Sequence, residues 1–269
     1  MISYVKEYSL HKNIFMMSFM KILVLSDVHG NTDALKKVLE SVSDWDEIWV
    51  LGDLVDYGPD PDETIDIIRS LDPEIVLQGN HDHAVAYGVD CRCGEKTHDL
   101  SVYTRMNISM KKLSKEQISW LRSLSPRRNI RIKDHDMILV HGSPRNPLYD
   151  YLHPDLPREK IIEMLTSPSI RLSSSKREKI FNGIIVAGHT HIPTDLVIEG
   201  VRILNPGSVG QPRDGDPRAS AGLLDVENMI FKIIRVEYDI ENVLRKLKPL
   251  IHDHDIYERL AKILLRGEV

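Results

Sequence analysis

With only two cysteines in 269 residues, Cys91 and Cys93, the chain has no disulfide framework to draw on. A reducing, cytoplasmic setting suits such a chain. Positive charge is also in short supply: 35 Lys and Arg stand against 40 Asp and Glu, a formal net charge of −5. A nonspecific grip on nucleic-acid backbones needs the opposite balance, so no stable nucleic-acid binding is expected. An anionic substrate stays open, because bound cations can outweigh the protein's own charge locally. No uninterrupted apolar run approaches the ~20 residues that span a bilayer, so no membrane association is expected. Residues 14–20 are apolar and imitate a signal peptide, but they run through Lys21 into a strand pattern with no small-residue cleavage site. Residues 1–19 are therefore read as an extension or an over-called start, and 20–269 as a single domain. The oligomeric state stays open, a homodimer included.

Against these absences stands a recurring pattern, in which buried-type strand runs stop at residues that ligate metals. The run 47–51 ends in Gly52-Asp53-Leu54-Val55-Asp56. Others end in Asp27-Val28-His29, Gly79-Asn80-His81-Asp82, His141 and Gly188-His189-Thr190-His191. Were these strands to share a sheet, one edge would gather Asp27, His29, Asp53, Asn80, His141, His189 and His191. A carboxylate alone among these groups can bridge two cations, and Asp53, central in the series, is the candidate bridge. Imidazole, carboxylate and amide oxygen together suit Mn, Ni, Co, Fe or Zn, with Mn preferred here. A closed structural zinc site would favour thiolates. Cys91-Arg92-Cys93 with His98 reads either as half a zinc site or as two free thiols. Two divalent metal ions ~3.5–4 Å apart clamp the attacking and departing oxygens of a displacement at phosphorus, so no Ser or Cys nucleophile is needed.

Around these blocks the sequence alternates strand and helix. Residues 32–39 and 63–70 show helical spacing between strands at 23–25, 47–51 and 74–78, which predicts parallel strands with covering helices. Residues 84–128 break the alternation and read as a helical insertion over the strand ends, with a capping box at Ser114 and Gln117. A hairpin is expected around 134–136, and 240–265 as one or two amphipathic helices.

Jointly, the five blocks resemble the calcineurin-like metallophosphoesterase superfamily, and they occur in that family's order over residues 27–191. The resemblance implies an α/β fold, a four-layer α/β/β/α sandwich of two mixed sheets. It also implies one metal held by Asp27, His29, Asp53 and His191, and a second by Asp53, Asn80, His141 and His189. His81 would be the general acid and Asp56 would orient it. The stretch 205–216 resembles a loop of small prokaryotic phosphodiesterases, and 56–61 resembles a subset labelled diadenosine tetraphosphatase-like. Arg213 is the candidate substrate contact, since guanidinium matches phosphate bidentately. Arg145 is read as a solvated loop residue. Protein phosphatases of the superfamily carry Arg where this chain has Tyr57. The expected function is therefore hydrolysis of a small phosphate ester, a nucleotide-like diester or phosphoanhydride, with a phosphomonoesterase or protein phosphatase as the alternative. A non-catalytic scaffold of the same fold usually lacks the third-block histidine, and His81 is present.

Overall fold

The computed structural model describes residues 20–166 and 183–269. The expected extension at 1–19 and part of the expected loop and helix region at 144–181 lie outside them. Among the described residues, ten strands form two five-stranded sheets. In the first, β1 (Lys21–Leu25), β2 (Glu47–Val50) and β3 (Ile75–Val76) run parallel, while β9 (Ala219–Asp225) and β10 (Ile230–Val236) extend it antiparallel in the order β10-β9-β1-β2-β3. In the second, β5 (His135–Val140), β6 (Ile184–Ala187) and β8 (Val201–Asn205) are parallel. They are flanked antiparallel by β4 (Arg127–Ile132) and β7 (Thr194–Ile198).

Side chains alternate across each strand, and that alternation builds the layers. Ile22, Val24, Trp49 and Leu51 turn inward to meet Met137, Leu139, Ile184, Val186 and Leu204 of the facing sheet. The opposite parity, Leu23, Leu25, Ile48 and Val50, packs under α1 (Thr32–Ser41) and α2 (Pro61–Ser70) through Ala34, Leu35, Val38, Ile65 and Ile68. On the far side, Ile138, Val140, Ile185 and Ala187 carry Ile161 and Leu165 of α7 (Arg158–Leu165). The result is the expected α/β/β/α sandwich. Among the described residues, no helix is long and apolar enough to cross a membrane.

Several expectations shift. The block-bearing strands do not share one sheet: β1, β2 and β3 belong to the first, β5 and β6 to the second. Strand three shrinks to Ile75–Val76, continued by a single bridge from Leu77 to Ser125. His135 and Asp136 lie in β5, paired with Ile132 and Arg131, so the hairpin turns at residues 133–134. The helical stretch starts before residue 84, with α3 (Asn80–Tyr87), and Arg127 and Arg128 already belong to β4. Between them, α4 (Glu95–Thr104) continues through a π-helical segment (Arg105–Ser109) and α5 (Met110–Lys112) before α6 (Lys115–Ser123). The predicted Ser114–Gln117 capping box opens α6. The C-terminal stretch forms α8 (Ile240–Leu247) and α9 (His254–Arg266).

Candidate active site

The C-terminal ends of β1 and β2 lie against those of β5 and β6, and the seven candidate ligands meet there, all buried. Asp27 ties the sheets together: its Oδ2 accepts from the His189 backbone N–H at 3.0 Å and from Ser26 Oγ at 2.6 Å. Of the twelve non-glycine residues with positive φ among those described, seven are here: Asp27, His29, Asp53, Asp56, Tyr57, His189 and His191. Left-handed backbone costs on the order of 1 kcal/mol or more per residue and collects where function requires a fixed geometry. The glycine that opens the third block is needed for space. A Cβ on Gly79 would lie 2.0 Å from Asp53 Oδ1 and 2.3 Å from the Asp53 nitrogen.

Hydrogen bonds settle which ring nitrogens face inward. Nδ1 of His29, His141 and His191 lies 2.9, 2.8 and 2.6 Å from the carbonyl oxygens of Val55, Leu51 and Gln211. A carbonyl only accepts, so each Nδ1 carries the proton, and each neutral ring turns the Nε2 lone pair inward. His29 Nε2 and His191 Nε2 then face each other at 3.3 Å, with Asp27 Oδ1 3.3 Å from His191 and Asp53 Oδ2 3.8 Å from His29. A second group forms around His141 Nε2: Asp53 Oδ2 at 3.2 Å, Asn80 Oδ1 at 3.0 Å and His189 Nδ1 at 3.1 Å. Asn80 is aimed by its own amide, whose Nδ2 donates to the Cys91 carbonyl at 2.8 Å.

Both groups therefore consist of acceptors pointing at acceptors, and they share Asp53 Oδ2. Asp27 Oδ1 and Asp53 Oδ2 are buried without a hydrogen-bond donor among the described residues. Leaving such groups unsatisfied is expensive, and only a cation would satisfy several lone pairs at once. The donor set fits two divalent ions. Without them a proton takes that role. Burial opposes charging His141, but Asp53 and Asp27 outweigh it and raise its pKa to about 9. Burial pushes Asp27 up to about 6. It also drives His29 down to about 3, against the pull of Asp53.

His81 sits beside this double cluster, on the first turn of α3. Its backbone N–H donates to Asp53 Oδ1 at 2.9 Å, Nδ1 lies 3.0 Å from Asp56 Oδ2, and Nε2 is 4.0 Å from Asp53 Oδ2. Burial disfavours its charged form, yet Asp53 and Asp56 together lift its pKa above the ordinary histidine value. Asp56 is itself enclosed: Ser109 Oγ donates to Oδ1 at 2.9 Å and Arg105 Nε to Oδ2 at 2.9 Å. Arg213 lies within reach of the site: its backbone N–H donates to the His191 carbonyl at 3.4 Å, and after burial its charge is what most depresses His191. Its Nη2 donates to Gln211 Oε1 at 2.5 Å, its guanidinium sits 5.9 Å from the Tyr57 ring centroid, and its buried Nε has no partner among the described residues. Arg145, read as a solvated loop arginine, is partly exposed and tied to Asp150 through two hydrogen bonds.

Five contributors escaped the sequence reading. Asp82, quoted within the third block but given no role, accepts from the backbone N–H groups of Asp53, Leu54 and Gly79 at 2.8, 2.8 and 2.9 Å. It thereby fixes the Asp53 turn to α3. Burial, with the nearby Asp53 charge, pushes it up to about 7. Ser101, Arg105 and Ser109 form a polar stripe at four-residue spacing. In a plain α-helix that stripe drifts by ~40° per step, and the wider π turn brings Ser109 back into line with Asp56. Tyr151 lies against the His189 ring at a centroid distance of 3.9 Å.

Comparison with known proteins bears on the same residues. The model of the calcineurin-like phosphoesterase superfamily domain matches residues 20–229, and the chain belongs to that family. Phosphoester hydrolysis at a dimetal centre is the family's chemistry. The crystal structure of a metallophosphoesterase from Sphaerobacter thermophilus superposes with a TM-score of 0.70 at 32% identity, covering 90% of this chain and 98% of that one. An uncharacterized protein of Methanocaldococcus jannaschii is 32% identical over 249 residues, 84% of this chain and 91% of its own length. A symmetrical bis(5'-nucleosyl)-tetraphosphatase of Aliivibrio salmonicida is 37% identical over 105 residues, 36% of each chain. The present chain thus spans about a third of that relative.

Proposed function

We propose that this protein is a phosphodiesterase that hydrolyses small nucleotide-like phosphodiesters or phosphoanhydrides in the cytoplasm, with manganese as the preferred metal. The observation that carries this reading is the pair of lone-pair clusters sharing Asp53 Oδ2. Divalent ions held by Asp27, His29, Asp53 and His191, and by Asp53, Asn80, His141 and His189, would neutralise phosphate charge and make a water nucleophilic at neutral pH. The chain's own groups do the rest. His81, its Nδ1 turned to Asp56 and its Nε2 toward the clusters, protonates the departing oxygen. Arg213, whose buried Nε has no partner among the described residues, grips a phosphate oxygen. The segment from α4 to α5 walls the site behind Asp56: Thr104 Oγ1 accepts from the Tyr57 N–H at 2.9 Å and Ser109 Oγ from the Asp56 N–H at 3.2 Å. That wall favours small substrates over folded phosphoproteins.

The likeness to tetraphosphatases supports a nucleotide-like substrate and extends over 23% to 49% of the chain. The deciding experiment is a panel of diesters, monoesters and dinucleoside polyphosphates, each assayed with Mn, Ni, Co, Zn and Mg. Preference for diesters or phosphoanhydrides with Mn supports the proposal. Faster turnover of monoesters or of a folded phosphoprotein overturns it.

A further inference from the structure

Behind the acid lie two thiols that the proposed reaction does not use. Cys91 and Cys93 are both free, and their Sγ atoms are 2.9 Å apart. Arg92, between them, is in left-handed backbone at φ 51°, with its N–H donating to Asp90 Oδ1, and this turn sets both sulfurs on one side. Neither thiol is isolated from the site. Cys91 Sγ lies 3.3 Å from Ser101 Oγ, which in turn is 3.2 Å from His81 Nδ1 and 3.4 Å from Asp56 Oδ2. The Cys91 carbonyl holds the Asn80 amide, and the Tyr57 hydroxyl reaches Cys93 Sγ at 3.7 Å.

We infer that Cys91 and Cys93 form a reversible disulfide whose closure displaces His81 and Asn80, making the active site responsive to peroxide. The inference rests on the proposed roles of those two residues. Closing the bond shortens the sulfur separation to about 2.0 Å, and the 91–93 backbone carries that movement. Its carbonyl then no longer aims Asn80, and Ser101 loses its thiol partner. A cation among His81, Cys91 and Cys93 is the competing use of this cluster. It would sit beside the Arg105 guanidinium, which donates to Ser101 Oγ at 2.7 Å. Dithiol chemistry has no such conflict.

The step balances with hydrogen peroxide as oxidant. Cys93, 8% exposed where Cys91 is fully buried, meets it first: the thiol becomes a sulfenic acid and one water leaves. Cys91 sulfur then attacks the Cys93 sulfur, the S–O bond breaks, and the hydroxyl departs with the Cys91 proton as a second water. Two thiols are oxidised and one peroxide is reduced. A dithiol reagent reverses it by exchange.

The test uses the full chain loaded with manganese, treated with peroxide and then with dithiothreitol. It is read by peptide mass, manganese content and turnover of an alkyl phosphodiester. The expected result is a loss of two hydrogen atoms confined to the peptide carrying residues 91–93. Turnover or manganese affinity should fall roughly 10- to 100-fold, the cost of displacing groups that support a metal site, and dithiothreitol should restore it. Cys93→Ser should match the reduced protein in turnover and show no peroxide response. Thiols that stay reduced, that proceed to sulfinic acid without pairing, or that pair with turnover and manganese content unchanged would each overturn the inference. If no phosphoester is hydrolysed at all, the functional reading fails, while peptide mass and manganese content still decide the disulfide.

Discussion

His81 Nδ1 lies 3.0 Å from Asp56 Oδ2, and both side chains are almost wholly buried. That carboxylate aims the ring and favours its protonated form, leaving Nε2 to face the departing oxygen. The benefit depends on the leaving group. A nitrophenolate is stable as an anion and gains little from an acid, whereas an alkoxide gains ~10²–10⁴-fold. His81→Gln should therefore cost far more on an alkyl or nucleotide diester than on bis-nitrophenyl phosphate, with metal content unchanged. Equal losses on both would assign His81 to phosphate positioning.

Residues of this site were legible because strands advertise themselves by apolar runs, and these runs stop at Asp, Asn and His. The reading singled out Asp27, His29, Asp53, Asn80, His81, His141, His189 and His191 without contact information, and the structure brings them together. It did not find that two sheets supply them, since nothing local in 137–140 or 184–187 says which sheet a buried strand joins. His135 and Asp136 misled for a related reason. They pair near the hairpin tip in solvent, where polar residues imitate a turn. Arg105 and Ser109 carried no signal, because their role depends on a π turn that shifts a polar stripe by a fraction of a turn. Asp82 was hidden differently: its three acceptor contacts are to backbone, which sequence does not display.

Gly79 tests the packing between Asp53 and α3. Its φ of −87° suits any residue, so the obstacle to a side chain is space alone. Gly79→Ala should displace Asp53, lower manganese content and destabilise the fold by about 1–3 kcal/mol, as overpacking does. Gly88 is the matched control: φ is 66° and a Cβ there would meet nothing within 4 Å. Gly88→Ala should cost about 1–2 kcal/mol of backbone strain with manganese retained. Thermal unfolding and elemental analysis separate the two, and full metal content in Gly79→Ala would refute the crowding argument.

Lys246 couples α8 to α1 and to the loop before α2, donating to Asp33 Oδ2 at 2.6 Å and Asp60 Oδ2 at 2.9 Å. Burial raises the Asp60 carboxyl, but the bond and charge from Lys246 outweigh this and hold it below the usual carboxylate value. A folded pKa below the unfolded ~3.9 gives stability that is present above about pH 4 and lost as pH falls through the folded value. Lys246→Met should thus lower the melting temperature by about 2–4 °C at pH 7, for ~1 kcal/mol in a partly exposed network. The two proteins should converge as pH falls below about 4. A constant difference from pH 7 to pH 3 would assign the effect to packing of the lysine stem.

Asp53 carries the heaviest burden, since its Oδ2 alone faces both lone-pair clusters while Oδ1 is committed to the His81 N–H. Asparagine in its place keeps the shape but removes the charge that would hold two cations close together. It also sets the amide Nδ2, a donor that cannot ligate a cation, against His141 and His29, while Oδ1 still accepts from the His81 N–H. Manganese should stabilise the native protein by about 2.7 kcal/mol at a hundredfold excess over its dissociation constant, and chelation should abolish that gain. Because the ligand histidines must be unprotonated, the gain should also shrink as pH falls. In Asp53→Asn, elemental analysis should find at least one ion fewer per chain, manganese should raise the melting temperature less, and turnover should vanish. Two ions per chain with undiminished stabilisation would mean that the clusters hold their metals independently and that Asp53 does not bridge them.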